Sequence, residues 1–142
     1  ANRTFFERME TIRLKAAVKM GMGDCSQSVT PKFGLLAPLP KQGHILARYF
    51  MPWETHPTMA VTGGQAMASC ALTPDTVAKG MMSVPEERPA KVTLHHPMGE
   101  MVVMVDYEIE NGVFQHKSAG LIRTCRKLAQ GQLFVPSSAL AG

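Results

Sequence analysis

Cysteine is scarce in this chain. Three residues, Cys25, Cys70 and Cys125, are scattered over 142 positions, and an odd, dispersed set cannot build an even disulfide framework. No apolar run approaches the roughly 20 residues that cross a bilayer as a helix. The opening residues, Ala1-Asn2-Arg3-Thr4-Phe5-Phe6-Glu7-Arg8, lack the basic-then-apolar order of a secretory signal. These absences exclude a disulfide scaffold and a transmembrane helix, and they lead us to expect a cytoplasmic protein without a membrane partner. Dense charge is also missing. Lys and Arg outnumber Asp and Glu by 15 to 11, a formal charge of +4, without a basic block or interleaved aromatics. No nucleic-acid partner is therefore expected, and a mildly basic domain suits acidic metabolites.

What is present is ordinary for a globular domain: 45% hydrophobic and 18% charged residues. A chain this long buries roughly two-thirds of its unfolded surface, so a single domain over residues 1–142 is expected. The first element reads as a helix, with Thr4 and Glu7 at capping-box spacing. Phe5, Met9, Ile12, Ala16 and Met20 recur at helical intervals before Gly21 and Gly23 end it. From Pro31 the pattern becomes extended, with paired strands expected over residues 32–37 and 44–50 on either side of a Pro- and Gly-containing loop. Residues 80–89 read as a long polar connection. Strands are expected over residues 92–95, 101–110 and 113–116, the last two joined by Asn111-Gly112, the strongest hairpin signal in the chain. Residues 118–128 fit a strand throughout or a switch to a short helix near Arg126, and periodicity does not decide between them.

The most informative stretch is Thr62-Gly63-Gly64 and the run behind it, Gln65-Ala66-Met67-Ala68-Ser69-Cys70-Ala71-Leu72. A helix with no charged residue and no polar face should be enclosed by other structure. Its first-turn N–H groups have no partner inside the helix, and glycines there let an anion approach the backbone. Thr62, Gly63 and Gly64 are thus candidate carboxylate or oxyanion ligands, although Gly-Gly before an apolar run also marks ordinary helix starts.

His56 lies six residues ahead of Thr62, as a plain loop histidine or a group lining the same cleft. His95 and His96, neighbours on a strand, should point to opposite faces. With no Cys or carboxylate at ligand spacing, no metal site is expected. Cys70, about two turns into the helix, reads as a small buried apolar residue rather than a nucleophile. Arg123 and Arg126 would share one face of a helix and suit a carboxylate there, against the alternative of a solvated charged edge. The 11 methionines read as filler of an adaptable core or an interface.

Four segments carry a family resemblance: Ile12-Arg13-Leu14-Lys15-Ala16-Ala17-Val18-Lys19-Met20-Gly21-Met22, His56-Pro57-Thr58-Met59-Ala60-Val61-Thr62-Gly63-Gly64, Leu94-His95-His96-Pro97-Met98-Gly99 and Ile122-Arg123-Thr124-Cys125-Arg126-Lys127-Leu128. In this order and spacing they resemble the C-terminal half of the PrpF family, 2-methylaconitate isomerases and oxalomesaconate tautomerases of diaminopimelate-epimerase-like fold. The resemblance implies an α+β domain, a curved and mostly antiparallel sheet wrapped around the small-residue helix, facing a similar N-terminal lobe across the active site. It implies that His56 contacts substrate near the helix start, and His96, Gly99 and Arg123 are further candidate substrate-binding residues. It implies no cofactor, and a proton-transferring Lys and Cys that both belong to the N-terminal half, so no catalytic residue is expected in this chain. Met98 stands where the family pattern usually has Ser, which leaves the substrate open.

The chain begins at Ala1 and enters directly on a helix, as expected of a fragment, a processed piece or a split subunit. The expected function is that of the substrate-binding lobe of an isomerase that shifts an allylic proton in an unsaturated di- or tricarboxylate. The alternative is a non-catalytic metabolite-binding or assembly domain of the same fold. Expected partners are the small polycarboxylate, an N-terminal lobe and, through Met-rich apolar surface, a second copy of the chain.

Overall fold

The computed structural model describes residues 2–139. Helix α1 (Arg3–Lys19) starts two residues earlier than the capping-box spacing suggests. Asn2 is the N-cap, its side chain accepting the Phe5 N–H at 3.1 Å, while Glu7 pairs with Arg3. The helix stops where Gly21 takes a left-handed φ of +75°. That conformation lets Met22 N–H reach back to the Ala17 carbonyl at 3.0 Å, the six-residue closure of a Schellman end.

The expected apolar face of α1 packs only in part, with Phe5, Met9 and Ala16 half-buried. Ile12 and Met20 are more than half exposed, and the buried residues are Ala17 and Arg13. Arg13, 2% exposed, places all five of its N–H donors. Two go to the Glu10 carboxylate at 2.6 and 2.7 Å, and three go to the carbonyls of Cys25, Ser28 and Pro31. A guanidinium has that many donors in a fixed fork, so one side chain pins residues 25–31 to the helix.

Six strands follow in one sheet: β1 (Phe33–Pro38), β2 (His44–Met51), β3 (Glu54–Thr55), β4 (Ala90–His96), β5 (Gly99–Glu110) and β6 (Val113–Leu121). The order is β1-β2-β4-β5-β6, with the short β3 also on β2. All pairs are antiparallel except β2 with β4. That parallel pair needs a crossover, and helix α2 (Val61–Leu72) supplies it. Asn111 and Gly112, at φ +53° and +77°, form the expected two-residue turn between β5 and β6.

The sheet curls so far that α2 touches β1, β2, β4, β5 and β6. Alternate residues face it, as the strand period demands: Ile45, Ala47 and Tyr49, then Ala90, Val92 and Leu94, then Met101, Val103, Val105 and Tyr107, all buried. This is the curved, mostly antiparallel α+β arrangement that the family resemblance implies. The helix is not wholly enclosed, however, since Val61, Thr62 and Ala66 are exposed. Among the described residues no helix is long and apolar enough to cross a membrane.

Beyond Leu121 the strand stops. Residues 122–136 are neither strand nor helix, and Leu128, Leu133 and Phe134 are almost fully exposed. Of the two readings open for residues 118–128, the strand therefore holds only to Leu121, and Arg123 and Arg126 share no helix face.

Candidate functional site

The first turn of α2 includes Thr62, Gly63 and Gly64 rather than following them. Its N-cap, Ala60, has no side chain to cap with. Gly64 N–H already donates to the Ala60 carbonyl at 2.8 Å. The amides left without a partner among the described residues are those of Val61, Thr62 and Gly63, the helix groups that carry partial positive charge.

Both glycines turn their Cα faces inward. A methyl built on Gly63 would strike the Tyr49 ring, and one on Gly64 would strike Met101 Sδ and crowd Met59. The pair is thus required by close helix-to-sheet approach, whatever its amides meet on the other side.

A cavity of about 310 Å³ opens beside this turn, lined by Thr58, Met59, His96, Glu100, Met101, Val102, Leu121, Ile122 and Arg123. Its floor, Met59 and Met101, is the surface against which Gly64 packs. The chain reaches it from three places: the loop before α2, the β4–β5 hairpin, and the end of β6. Of the residues singled out from sequence, His96 and Arg123 line the cavity. His56 lies close enough for its charge to act on His96, and its ring sits edge-on to Tyr49 at 5.9 Å, the ring that covers Gly63. Gly99 forms the hairpin turn opposite His96 with φ +132°, a conformation that favours glycine, but it does not line the cavity. Met98 is exposed on the same turn.

The titratable residues lining the cavity are His96, Glu100 and Arg123. Burial, together with the nearby positive charges of His56, Arg48 and His95, holds the His96 imidazole below the ordinary histidine range. His96 is therefore neutral at pH 7. Its Nδ1 faces the Met98 N–H at 3.3 Å as an acceptor, which puts the proton on Nε2 and makes that atom a donor. His56 repeats the arrangement, Nδ1 accepting the Thr58 N–H at 3.1 Å. Arg123 is exposed and has no acidic partner among the described residues. One guanidinium and one imidazole donor thus line the cavity over Met59 and Met101, while His56, Thr62, Gly63 and Gly64 are not among its lining residues.

Glu100 is the residue sequence reasoning missed. No carboxylate was expected near the paired histidines, yet the β4–β5 register sets His95 opposite Glu100, with His95 Nδ1 3.3 Å from Glu100 Oε1. His95 Nε2 then meets His44 Nδ1 on β2 at 2.6 Å. The signal was the turn itself: a hairpin through Pro97-Met98 pairs 96 with 99 and 95 with 100. As expected, His95 and His96 point to opposite faces. Among the described residues no group of three His, Cys, Asp or Glu side chains could hold a metal ion. Cys70 is half-buried against the core, Cys25 buried and Cys125 exposed.

Comparison with known proteins bears on the family and the fold. Residues 1–136 match the PrpF protein family. The Escherichia coli (strain K12) protein YbhH is 35% identical over 136 residues, 96% of this chain and 38% of its own length. The (4E)-oxalomesaconate Delta-isomerase of Novosphingobium sp. (strain KA1) is 34% identical over 135 residues, covering 95% of this chain and 37% of that protein. The 4-oxalomesaconate tautomerase of Pseudomonas putida (strain KT2440) is 35% identical over 124 residues, 87% of this chain and 33% of that protein. In three dimensions, the crystal structure of methylitaconate-delta-isomerase superposes with a TM-score of 0.62 at 18% identity, over 85% of this chain and 38% of its own. The chain thus spans little more than a third of the length of the relatives it matches, and the structural likeness concerns the fold.

Proposed function

This chain belongs to the PrpF family, and from that premise we propose that it is the substrate-binding lobe of an isomerase or tautomerase. The reaction moves an allylic proton in an unsaturated di- or tricarboxylate. Two relatives named for oxalomesaconate support that substrate class. The observation that carries the reading is the cavity itself, where Arg123 and neutral His96 stand beside the uncapped first turn of α2.

Removing a proton from an allylic carbon leaves an anion whose charge spreads onto a neighbouring carboxylate or carbonyl. Preorganised donors where that charge develops lower the barrier by about 3 kcal/mol for each well-placed group. The amides of Thr62 and Gly63, the Nε2–H groups of His56 and His96, and the Arg123 guanidinium are the donors assigned to carboxylate and developing charge. Gly64 and Gly99 shape the backbone around them. No proton-transferring residue is assigned to this chain. The Lys and Cys that perform the transfer are assigned to an N-terminal lobe, which is then its principal partner, in the cytoplasm and with no cofactor. A pair of such chains through exposed methionines is a further expectation.

The test is activity of this chain alone and with an N-terminal family lobe added, on oxalomesaconate-like and methylaconitate-like acids. Activity only in the combination is expected. In the active combination Arg123→Leu should reduce kcat/KM by about a hundredfold, the scale of one lost charge-stabilising donor. An Arg123→Leu protein with unaltered kinetics would overturn the reading.

A further inference from the structure

A separate cavity of about 400 Å³ lies between the start of β2, the face of β4 turned away from α2, and the loop that precedes β4. Gln42, His44, Glu86, Glu87, Lys91 and Thr93 line it. Its walls are tied together by backbone. Gly43 N–H donates to the Ser83 carbonyl at 2.9 Å, and Thr93 N–H donates to the Gly43 carbonyl at 2.7 Å. A methyl on Gly43 would strike the Lys91 carbonyl and crowd Pro85.

The charges around this space are not spent on one another. Arg88 follows the two glutamates in sequence, yet its guanidinium lies over the Tyr107 ring and its Nη1 donates to the carbonyls of Pro85, Glu86 and Glu87. Among the described residues, Glu86, Glu87 and Lys91 have no ion-pair partner. Thr93 is 2% exposed, and its hydroxyl has no hydrogen-bond partner among the described residues without being a sealed polar atom. The cavity is where that hydroxyl opens. His44 adds a lone pair. The Glu100 carboxylate against His95 Nδ1 favours the proton there, so His95 Nε2 accepts from His44 Nδ1, 2.6 Å away. His44 Nε2 is then an acceptor free for a ligand. Burial, with the charges of Lys41, His95 and Lys91 adding to it, holds that imidazole below the ordinary histidine range and neutral at pH 7.

From this constellation we propose that the cavity is a second binding site, for a small amino acid whose ammonium group meets Glu86, Glu87 and His44 Nε2 and whose carboxylate meets Lys91. Thr93 supplies a hydroxyl to the same ligand. Unpaired charges of both signs on one cavity suit a zwitterion and work against a simple anion, which the glutamates repel, or a simple amine, which Lys91 repels. His44, Glu86 and Glu87 do not converge closely enough to share a metal ion, so the space fits a molecule. The site does not depend on the carboxylate-binding reading of the cavity beside α2.

Three compounds on one four-carbon frame test the proposal: 4-aminobutyrate, butylamine and butyrate, which carry both charges, the ammonium alone and the carboxylate alone. Each is titrated into the 142-residue chain at pH 7 and constant ionic strength while backbone amide resonances are followed by NMR. The Gln42, Glu87, Lys91 and Thr93 resonances should move, and 4-aminobutyrate should bind roughly two- to fivefold more tightly than either of the others, the range of an exposed charge pair. Lys91→Gln weakens the zwitterion and relieves the amine, so their ratio should fall to about one. The double variant Glu86→Gln, Glu87→Gln should weaken both ammonium compounds and leave butyrate no worse. Thr93→Val should weaken 4-aminobutyrate roughly two- to tenfold, the scale of one hydrogen bond. Butyrate binding as tightly as 4-aminobutyrate, a ratio unmoved in Lys91→Gln, or shifts at Arg123 with none at Thr93 would each overturn the inference.

Discussion

The two long helices are held in place by opposite means. Helix α2 has no charged residue and touches five strands through Gly63, Gly64, Met67, Ala68, Ala71 and Leu72. Its position is set by steric fit, because small side chains let the sheet close to the backbone. Helix α1 lies outside that curl and leaves Ile12, Val18 and Met20 exposed. What holds it is polar at one end and aromatic at the other. Arg13 pins residues 25–31, and Phe5 and Phe6 meet Phe50, which is stacked on Phe33. A helix at the centre of a curved sheet is defined by what it lacks. A helix on the outside depends on a few specific contacts.

Removing the key residue of each helix should break that comparison in different ways. Arg13→Ala leaves the Glu10 carboxylate and three carbonyls without their partner, and breaking a buried ion pair costs about 3 kcal/mol or more. Urea unfolding should show that loss, with residues 25–31 becoming the first segment cut by protease. A loss below about 1 kcal/mol would show that water replaces the guanidinium.

Gly63→Ala should cost about 2 kcal/mol by overpacking against Tyr49. The paired change Gly63→Ala with Tyr49→Leu should recover part of it. Equal loss in single and double variants would show that the ring is not the obstacle.

Acid should act next. His44 and His96 are both held below the ordinary value of 6.5, in each case mainly by burial. The unfolded chain therefore binds more protons than the folded one in the interval just below pH 6.5, and stability rises with pH there. The stabilisation is complete above pH 6.5 and is lost as pH falls through the folded values. Urea midpoints measured from pH 7.5 to 5 should decline, and the double variant His44→Gln, His96→Gln should flatten the curve. Glu10, lowered by its hydrogen bond to Arg13, acts in a separate, more acidic window below 4.5.

The smallest effect belongs to the exposed Arg3–Glu7 pair. Arg3→Ala should change stability by no more than about 0.5 kcal/mol and less in high salt. A larger loss would mean that the start of α1 is better anchored than its exposure indicates.

Legibility followed the range of the interactions. The Asn111-Gly112 turn, the alternation along β5 and the uncharged run of α2 could be read directly because each is governed by neighbours within a few positions. The α1 cap lies two residues before the one the spacing suggests, since Asn2 and Thr4 are both good caps and only the three-dimensional start chooses between them. The apolar spacing of α1 indicates the packed face only in part: Phe5, Met9 and Ala16 are half-buried, but Ile12 and Met20 are exposed. Arg13 finds its acceptors 12 to 18 residues away, beyond any periodicity. Glu100 was missed because its distance from His95 depends on a hairpin register, and Gly64 was given a free amide that the first helical hydrogen bond consumes.

Residue order alone therefore determined where strands, turns and helices form, through backbone sterics and the 2.0 and 3.6 residue periods. It also determined that only a tightly wrapped sheet could surround α2. The curl of that sheet decided the rest. It brought Thr58, His96, Glu100 and Arg123 around one cavity, separated Arg123 from Arg126, and turned two glycines toward Tyr49 and Met101. Those relations are set by packing between distant segments, where space and unpaired donors are shared, and no local pattern encodes how they are divided.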